Sequence, residues 1–389
     1  MVHLLLVIIY LSFISLGLPD ALLGAAWPIM SQEFSVPVSY AGGISLIIAI
    51  GTVISSLQSD RLTKWLGAGK VTAVSVATTA VAIYGFSVSS EYWQLCLWAI
   101  PYGLGAGSVD ASLNNYVALH YASSHMSWLH CMWGIGASTG PYIMGFALAG
   151  GMGWNEGYGI IAVIQIILSA TLFLSLPLWK KRKGEPGTNG EKAKPLTMKQ
   201  ILSIRGAKEV MLAFFCYCAL EQTCILWGSS YFFLHIGLDE ETAASLAALY
   251  MLGLTFGRFL NGFLTFKLSD INLIRLGEGL MGLGIVVMLL PFGKWSAMAG
   301  LVLMGLGSAP VYPCIIHSTP AHFGEENSQA LIGVQMASAY VGICCMPPLF
   351  GILANHISVA LLPWYVAGLL ILMTVMCERL ERKCSHRIG

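Results

Sequence analysis

The run from Lys180 to Pro195 reads KKRKGEPGTNGEKAKP and is the one long hydrophilic stretch of the chain. Its Gly, Pro and Lys content is that of a flexible or surface linker. On either side of it charge nearly vanishes. Of the 389 residues, 56% are hydrophobic and only 10% are Asp, Glu, Lys or Arg. A typical soluble domain is about 25% charged, so the surface needed to face water is missing. This excludes a soluble enzyme, a nucleic-acid binder and a secreted disulfide scaffold. The net charge of +1 identifies no partner, and the surroundings that suit such a chain are a lipid bilayer.

Crossing a bilayer takes about 20 apolar residues. Apolar runs place six crossings before the linker, at 4–30, 39–59, 70–90, 93–119, 127–150 and 157–179. Six more follow, at 209–235, 242–266, 274–293, 296–318, 327–352 and 357–377. Val71–Ser90 and Gly157–Trp179 carry no formal charge and each fits one crossing. Asn327–Cys377 has none either but is too long for one, so it turns near Pro347-Pro348 and Asn355-His356. The first run lacks a basic flank, and its apolar face continues past Asp20 to Pro28, as in a retained helix. The expected fold is therefore all-α and integral to the membrane. Twelve transmembrane helices form two pseudo-symmetric six-helix bundles at 1–180 and 208–389. The basic linker 181–207 joins them, and a short cytoplasmic tail ends the chain.

Basic residues set the orientation. With an N-in start, Arg61, Lys64, Lys70, the nine Lys and Arg from Lys180 to Lys208, Lys267, Arg275, Arg379, Arg382, Lys383 and Arg387 face the cytoplasm. Arg258 lies in the inner half of its span and only Lys294 falls outside, so nineteen of twenty obey one rule. Acidic Glu33, Glu91, Glu156 and Asp239–Glu241 occupy the outer loops. The expectation is a multi-pass protein of the cell (inner) membrane with both termini in the cytoplasm.

The two halves also resemble each other. Gly103-Leu104-Gly105 in span 4 recurs as Gly305-Leu306-Gly307 in span 10, an offset of 202, and the same offset carries Asp110 onto Tyr312. Two related halves joined by a basic loop form the parallel repeat of secondary transporters. The ten cysteines lie inside predicted helices apart from Cys384, with no zinc-like spacing, and act as small apolar fillers. His120/His125 and His317/His322 share a five-residue spacing in corresponding inner loops, but residues five apart do not share a helix face. No metal and no resident cofactor is expected.

Three acids lie deep in the spans: Asp20, Asp110 and Glu221. A carboxylate at a helix centre costs about 2.5–3.5 kcal/mol on insertion scales, so each requires a partner, water or a proton. Arg258 is the basic group found within a span, and it sits near the inner end. These acids are the candidate proton carriers. Trp27, Trp133 and Trp227 supply flat apolar faces, while Asn114, Gln222 and Gln335 supply donors and acceptors, which is the chemistry of a sugar pocket. His130, close to Trp133, is placed to relay a proton or to bond substrate.

Several pieces now combine. They are Pro19-Asp20-Ala21-Leu22-Leu23, and Gly103-Leu104-Gly105 leading to Asp110-Ala111-Ser112-Leu113-Asn114. In the second half they are Phe215-Cys216-Tyr217, Gln222-Thr223, Gly257-Arg258-Phe259 and Tyr312-Pro313. With these the chain resembles the fucose-permease-like branch of the major facilitator superfamily, the sugar:proton symporters. The resemblance implies a cavity lined by spans 1, 4, 7 and 10. It also implies proton and substrate roles for Asp20 and Asp110. Ser59-Asp60-Arg61-Leu62 with Gly67-Ala68-Gly69-Lys70 resembles the family's inner loop between spans 2 and 3, in which the acid caps a neighbouring helix and the arginine pairs across the half. Asp60, Arg61 and, in the related place of span 8, Arg258 are thus implied gating residues.

The chain departs from the family pattern in three ways. Its span-4 acid is Asp rather than Glu, His130 and Trp133 replace polar amides in span 5, and Glu221 is an additional acid. The expected function is proton-coupled uptake of a small polar solute, a monosaccharide, by alternating access. The expected substrate-binding set is Asp20, Trp27, Asp110, Asn114, His130, Trp133, Glu221, Gln222, Trp227, Tyr312 and Gln335. Two alternatives stay open: a proton-coupled exporter of amphipathic molecules, and a sodium-coupled sugar symporter. The partners expected are the solute and the bilayer, with no nucleic acid, and the working unit is a monomer.

Overall fold

The computed structural model describes residues 2–179 and 195–384, which are helical throughout apart from short connections, with no strand among the described residues. Most of the linker quoted above, and Arg387 of the tail, lie outside the described residues. Before the linker come α1 (Val2–Gly17), α2 (Leu22–Glu33), α3 (Ala41–Leu66), α4 (Ala68–Ser87), α5 (Tyr92–His120), α6 (Ser123–Ala149) and α7 (Trp154–Ser175). After it come α8 (Met198–Ser203), α9 (Ala207–Ser230), α10 (Glu240–Leu264), α11 (Asp270–Met288), α12 (Lys294–Phe323), α13 (Glu325–His356) and α14 (Leu362–Cys384). Ten helical spans among the described residues are long and apolar enough to cross a membrane. The other two long helices, α5 and α6, have 29 and 27 residues but carry Asp110, Asn114, Asn115, His125 and His130, which dilute their apolar character. Together these make the twelve expected crossings.

The chain divides into two compact units, 1–116 with 129–196, and 117–128 with 197–389. The division is not a simple cut at the linker. The turn between α5 and α6 packs with the second unit, where Asn261 Nδ2 donates to Ser127 Oγ at 2.7 Å and the Trp128 ring lies against Gly262 and Phe263.

Each unit is built on the same close contacts. A Cβ on Gly103 of α5 would stand 2.3 Å from the Ile48 carbonyl oxygen of α3, and one on Gly305 of α12 would stand 2.3 Å from that of Tyr250 on α10. Tyr250 lies 202 residues after Ile48, the offset of the glycines themselves. On the opposite face, Gly105 meets Ser75 and Thr79 of α4, and Gly307 meets Gly277 and Met281 of α11. The offset is again 202 for both partners. The duplicated motif is therefore a duplicated three-helix seam, in which absent side chains let backbones touch, as membrane helices require when lipid supplies no hydrophobic drive. Gly305→Val is expected to lower the melting temperature or folded yield in detergent, since overpacking costs about 1–3 kcal/mol. Gly279→Ala, with nothing within 4 Å of the new carbon, is expected to leave both unchanged.

Sequence periodicity predicts one continuous first helix, and here the structure differs. The span Leu4–Glu33 is interrupted at Leu18–Ala21, between α1 and α2. Pro19 has no N–H to donate and disfavours helical geometry at Leu18. The chain recovers through Asp20 N to Gly17 O at 3.1 Å and Leu22 N to Pro19 O at 3.1 Å. Glycines pin the break to α6: Cβ atoms on Gly136 and Gly140 would fall 2.1 and 2.0 Å from the Ile14 and Leu18 carbonyl oxygens. Asp20 thus leaves the helical register beside Trp133.

Candidate functional site

In the first unit two polar groups, one buried and one half-buried, converge on Asp20. Tyr102 donates its hydroxyl to Oδ1 at 3.2 Å, and Trp133 donates Nε1–H to Oδ2 at 2.9 Å. Both donors are neutral. Asp20 stays exposed at the surface of its unit although it sits midway along a membrane span. Asp110, two turns beyond Tyr102 on α5 and half-buried, lies within electrostatic range of Asp20. Asn114 donates Nδ2–H to Asp110 Oδ1 at 2.8 Å and to its backbone carbonyl at 3.0 Å. The amide oxygen of Asn114 faces His130 Nε2 at 3.0 Å, so that nitrogen carries a proton. Phe13 packs edge-on against the His130 ring at 5.4 Å. Five expected residues therefore gather in two neighbouring hydrogen-bonded groups, Asp20 with Trp133 and Asp110 with Asn114 and His130, drawn from the turn after α1, from α5 and from α6. Tyr102 belongs with them and was not expected. Its signal in the sequence is a hydroxyl eight residues before Asp110, on the same helix face.

The second unit holds Glu221 in a different setting. Arg258 Nη2 of α10 lies 3.4 Å from Glu221 Oε2, with Arg258 nearly fully buried. The Tyr217 hydroxyl lies between the same carboxylate and the Ser308 carbonyl. Tyr250 bonds Ser308 Oγ at 2.8 Å. Tyr312 packs on Phe214 and Tyr217, and its hydroxyl contacts Met336 Sδ at 3.1 Å. Glu221 therefore has the counter-cation that sequence spacing did not pair with it. Arg258, expected at a gate, meets an acid on a neighbouring helix. Gln222 is half-buried beside Glu221.

Other expected site residues are placed elsewhere. Trp27 is buried in the apolar core of its unit and donates to the Val38 carbonyl at 2.7 Å. Trp227 donates to the Pro347 carbonyl at 2.9 Å and packs on Phe350. Gln335 is fully buried and bonds Thr319 at 3.0 Å. In all three the polar atom is used by packing between helices and not by the two acid clusters. At the expected gate, Asp60 meets Lys64 at 2.9 Å and the Leu196 N–H at 3.3 Å, while Arg61 is exposed and contacts Gln58. No group of three or more potential metal ligands occurs among the described residues.

Long apolar helices, deep acids and a duplicated seam together are features of a membrane transporter. The sequence model of the Major Facilitator Superfamily matches residues 9–292 and 210–387, and the chain belongs to that family. It is a multi-pass membrane transporter and not an enzyme. It is 24% identical over 353 residues to the uncharacterized transporter y4wD of Sinorhizobium fredii, covering 88% of this chain and 89% of the other. Its fold is similar to that of FucP, a fucose:proton symporter of E. coli, in the outward conformation. That match has a TM-score of 0.80 and 16% identity, and covers 96% of this chain and 98% of the other. It is also similar to the proton:xylose symporter XylE, with a TM-score of 0.79, 11% identity, and 95% and 94% coverage.

Proposed function

We propose that the protein takes up a monosaccharide or similar small polar solute together with a proton, with Asp20 and Asp110 carrying the coupling. The observation that supports this most is the setting of Asp20. It is accessible at a helix break and held by two neutral donors, the Tyr102 hydroxyl and the Trp133 indole. A carboxyl held this way gains or loses a proton without breaking an ion pair. Trp133 offers an aromatic face for the apolar side of a sugar, and the buried Asn114 and His130 hold Asp110 in place. The fold neighbours FucP and XylE are a fucose:proton and a proton:xylose symporter, which agrees with this reading. Glu221, charge-compensated by Arg258, is assigned to holding the second unit's interior and not to carrying the proton. The excess of basic residues in the loops assigned to the inner side supports cytoplasmic termini and uptake across the inner membrane.

The test is a thermal-shift screen of purified protein with hexoses, deoxyhexoses, pentoses and polyols. A ligand at a hundred times its Kd stabilises by about 2.7 kcal/mol, so one sugar class is expected to raise the apparent melting temperature by about 5 °C. Stabilisation by amphipathic cations and by no sugar would instead favour export. A sodium requirement at fixed pH would move the coupling ion away from the proton.

A further inference from the structure

Asp270, the first residue of α11, gathers contacts from two other stretches of the second unit. Ser123, at the turn between α5 and α6, donates its hydroxyl to Asp270 Oδ1. His317 Nδ1, on α12, lies 2.6 Å from Asp270 Oδ2. The other ring nitrogen, Nε2, lies 3.3 Å from the backbone carbonyl oxygen of Tyr121, in the same turn as Ser123. His317 and Asp270 are 22% and 17% exposed, so water reaches the pair.

Both ring nitrogens of His317 therefore face oxygens that accept. A backbone carbonyl has no proton to give, and a carboxylate has none either. Neutral imidazole has a single N–H, so it serves one of these oxygens and turns a lone pair on the other. Only imidazolium serves both, and it adds a charge pair with Asp270. Cys314 of α12 is in contact with Asp270 and Ser123 as a thiol, and Asn261 of α10 bonds Ser127 Oγ at 2.7 Å. On the turn itself, His125 packs between the rings of Tyr121 and Trp128.

We propose that His317 is a proton-binding site separate from the deep acids, and that its imidazolium clasps the α5–α6 turn to α11 and α12. Loss of the Nε2 proton to water leaves the Nδ1–H bond to Asp270 and sets a lone pair against the Tyr121 carbonyl. The turn then keeps its Ser123 bond to Asp270 and its Ser127 and Trp128 contacts with α10, and its hold on α12 loosens. Alkaline conditions therefore favour release of this turn from α12. The inference rests on the family assignment and does not depend on the substrate or on proton transfer at Asp20.

The experiment places nitroxides on the full-length protein at Ala122 and Asn272, both exposed, through a keto-bearing amino acid that leaves the ten native cysteines untouched. Pulsed EPR then reads the distance between turn and α11 from about pH 5.5 to about pH 8, the range in which imidazole titrates. The short-distance population is expected to fall about fivefold or more relative to the long one, the equivalent of one hydrogen bond. His317→Gln is expected to abolish the pH dependence. Ser123→Ala is expected to lower the short population at every pH while the transition stays at the same pH. Asp20→Asn is expected to leave the transition intact, which separates failure of this site from failure of the coupling acids. A distance distribution that does not move with pH in the unmodified protein would overturn the proposal, as would an equal movement in His317→Gln.

Discussion

Asp20→Asn is expected to abolish pH-driven accumulation of solute in proteoliposomes while exchange at equal concentrations continues. A difference of one pH unit is worth about 1.4 kcal/mol per proton, so one coupled proton sustains about tenfold accumulation of a neutral solute. The variant is expected to bring that ratio to about one. The reasoning is local. Asn has the shape of Asp and keeps one oxygen for Tyr102 or Trp133, but its amide cannot exchange a proton at any working pH. One of the two donors then faces an NH2 group, so solute affinity is also expected to weaken, by about tenfold for one lost hydrogen bond. Exchange needs the bundle to cycle while loaded and does not need a proton to be delivered, so it survives. Asp110→Asn, which keeps a bond to Asn114, is expected to behave alike if the proton is shared. Should both variants still concentrate solute on a pH gradient, the assignment to these acids is wrong.

Arg258→Ala is expected to be the most damaging single change in the second unit. Arg258 is nearly fully buried and Glu221 is 15% exposed, so the truncation strands a carboxylate inside the membrane. Breaking a buried pair from one side costs about 3–5 kcal/mol. The expected result is loss of the monodisperse peak in size-exclusion chromatography, or a melting temperature lowered by about 10 °C. The double variant Arg258→Met with Glu221→Gln removes both charges and is expected to recover most of that loss. A double variant as unstable as Arg258→Ala would show that Arg258 acts through groups other than Glu221, Tyr217 being the nearest alternative.

Much of the fold was legible because membrane insertion leaves coarse marks. The basic linker, the uncharged runs and the Gly103/Gly305 repeat each follow from a rule that acts along the chain. The break at Leu18–Ala21 was also marked, by Pro19, but hydropathy averages over a proline and so favours a continuous helix. The site was legible in part. Asp20, Asp110 and Asn114 stand out because a carboxylate or amide in lipid is costly wherever it points. Tryptophan and glutamine carry no such signal. Trp133 meets Asp20 whereas Trp27 and Trp227 bond backbone carbonyls, and composition cannot separate these uses. The pairing of Glu221 with Arg258 links residues 37 apart on helices whose relative rotation no spacing encodes.

The glycine seams have a mechanical consequence. At Gly103 and Gly305 backbone lies against backbone, with no side chain between to change rotamer and absorb a shift. A contact of that kind has no soft layer, so neither seam can slide by small steps. α3, α4 and α5 must swing as one stiff lever, and so must α10, α11 and α12. Whatever bending a transport cycle demands is then concentrated where the helices are already interrupted, and the clearest such point is the turn that carries Asp20.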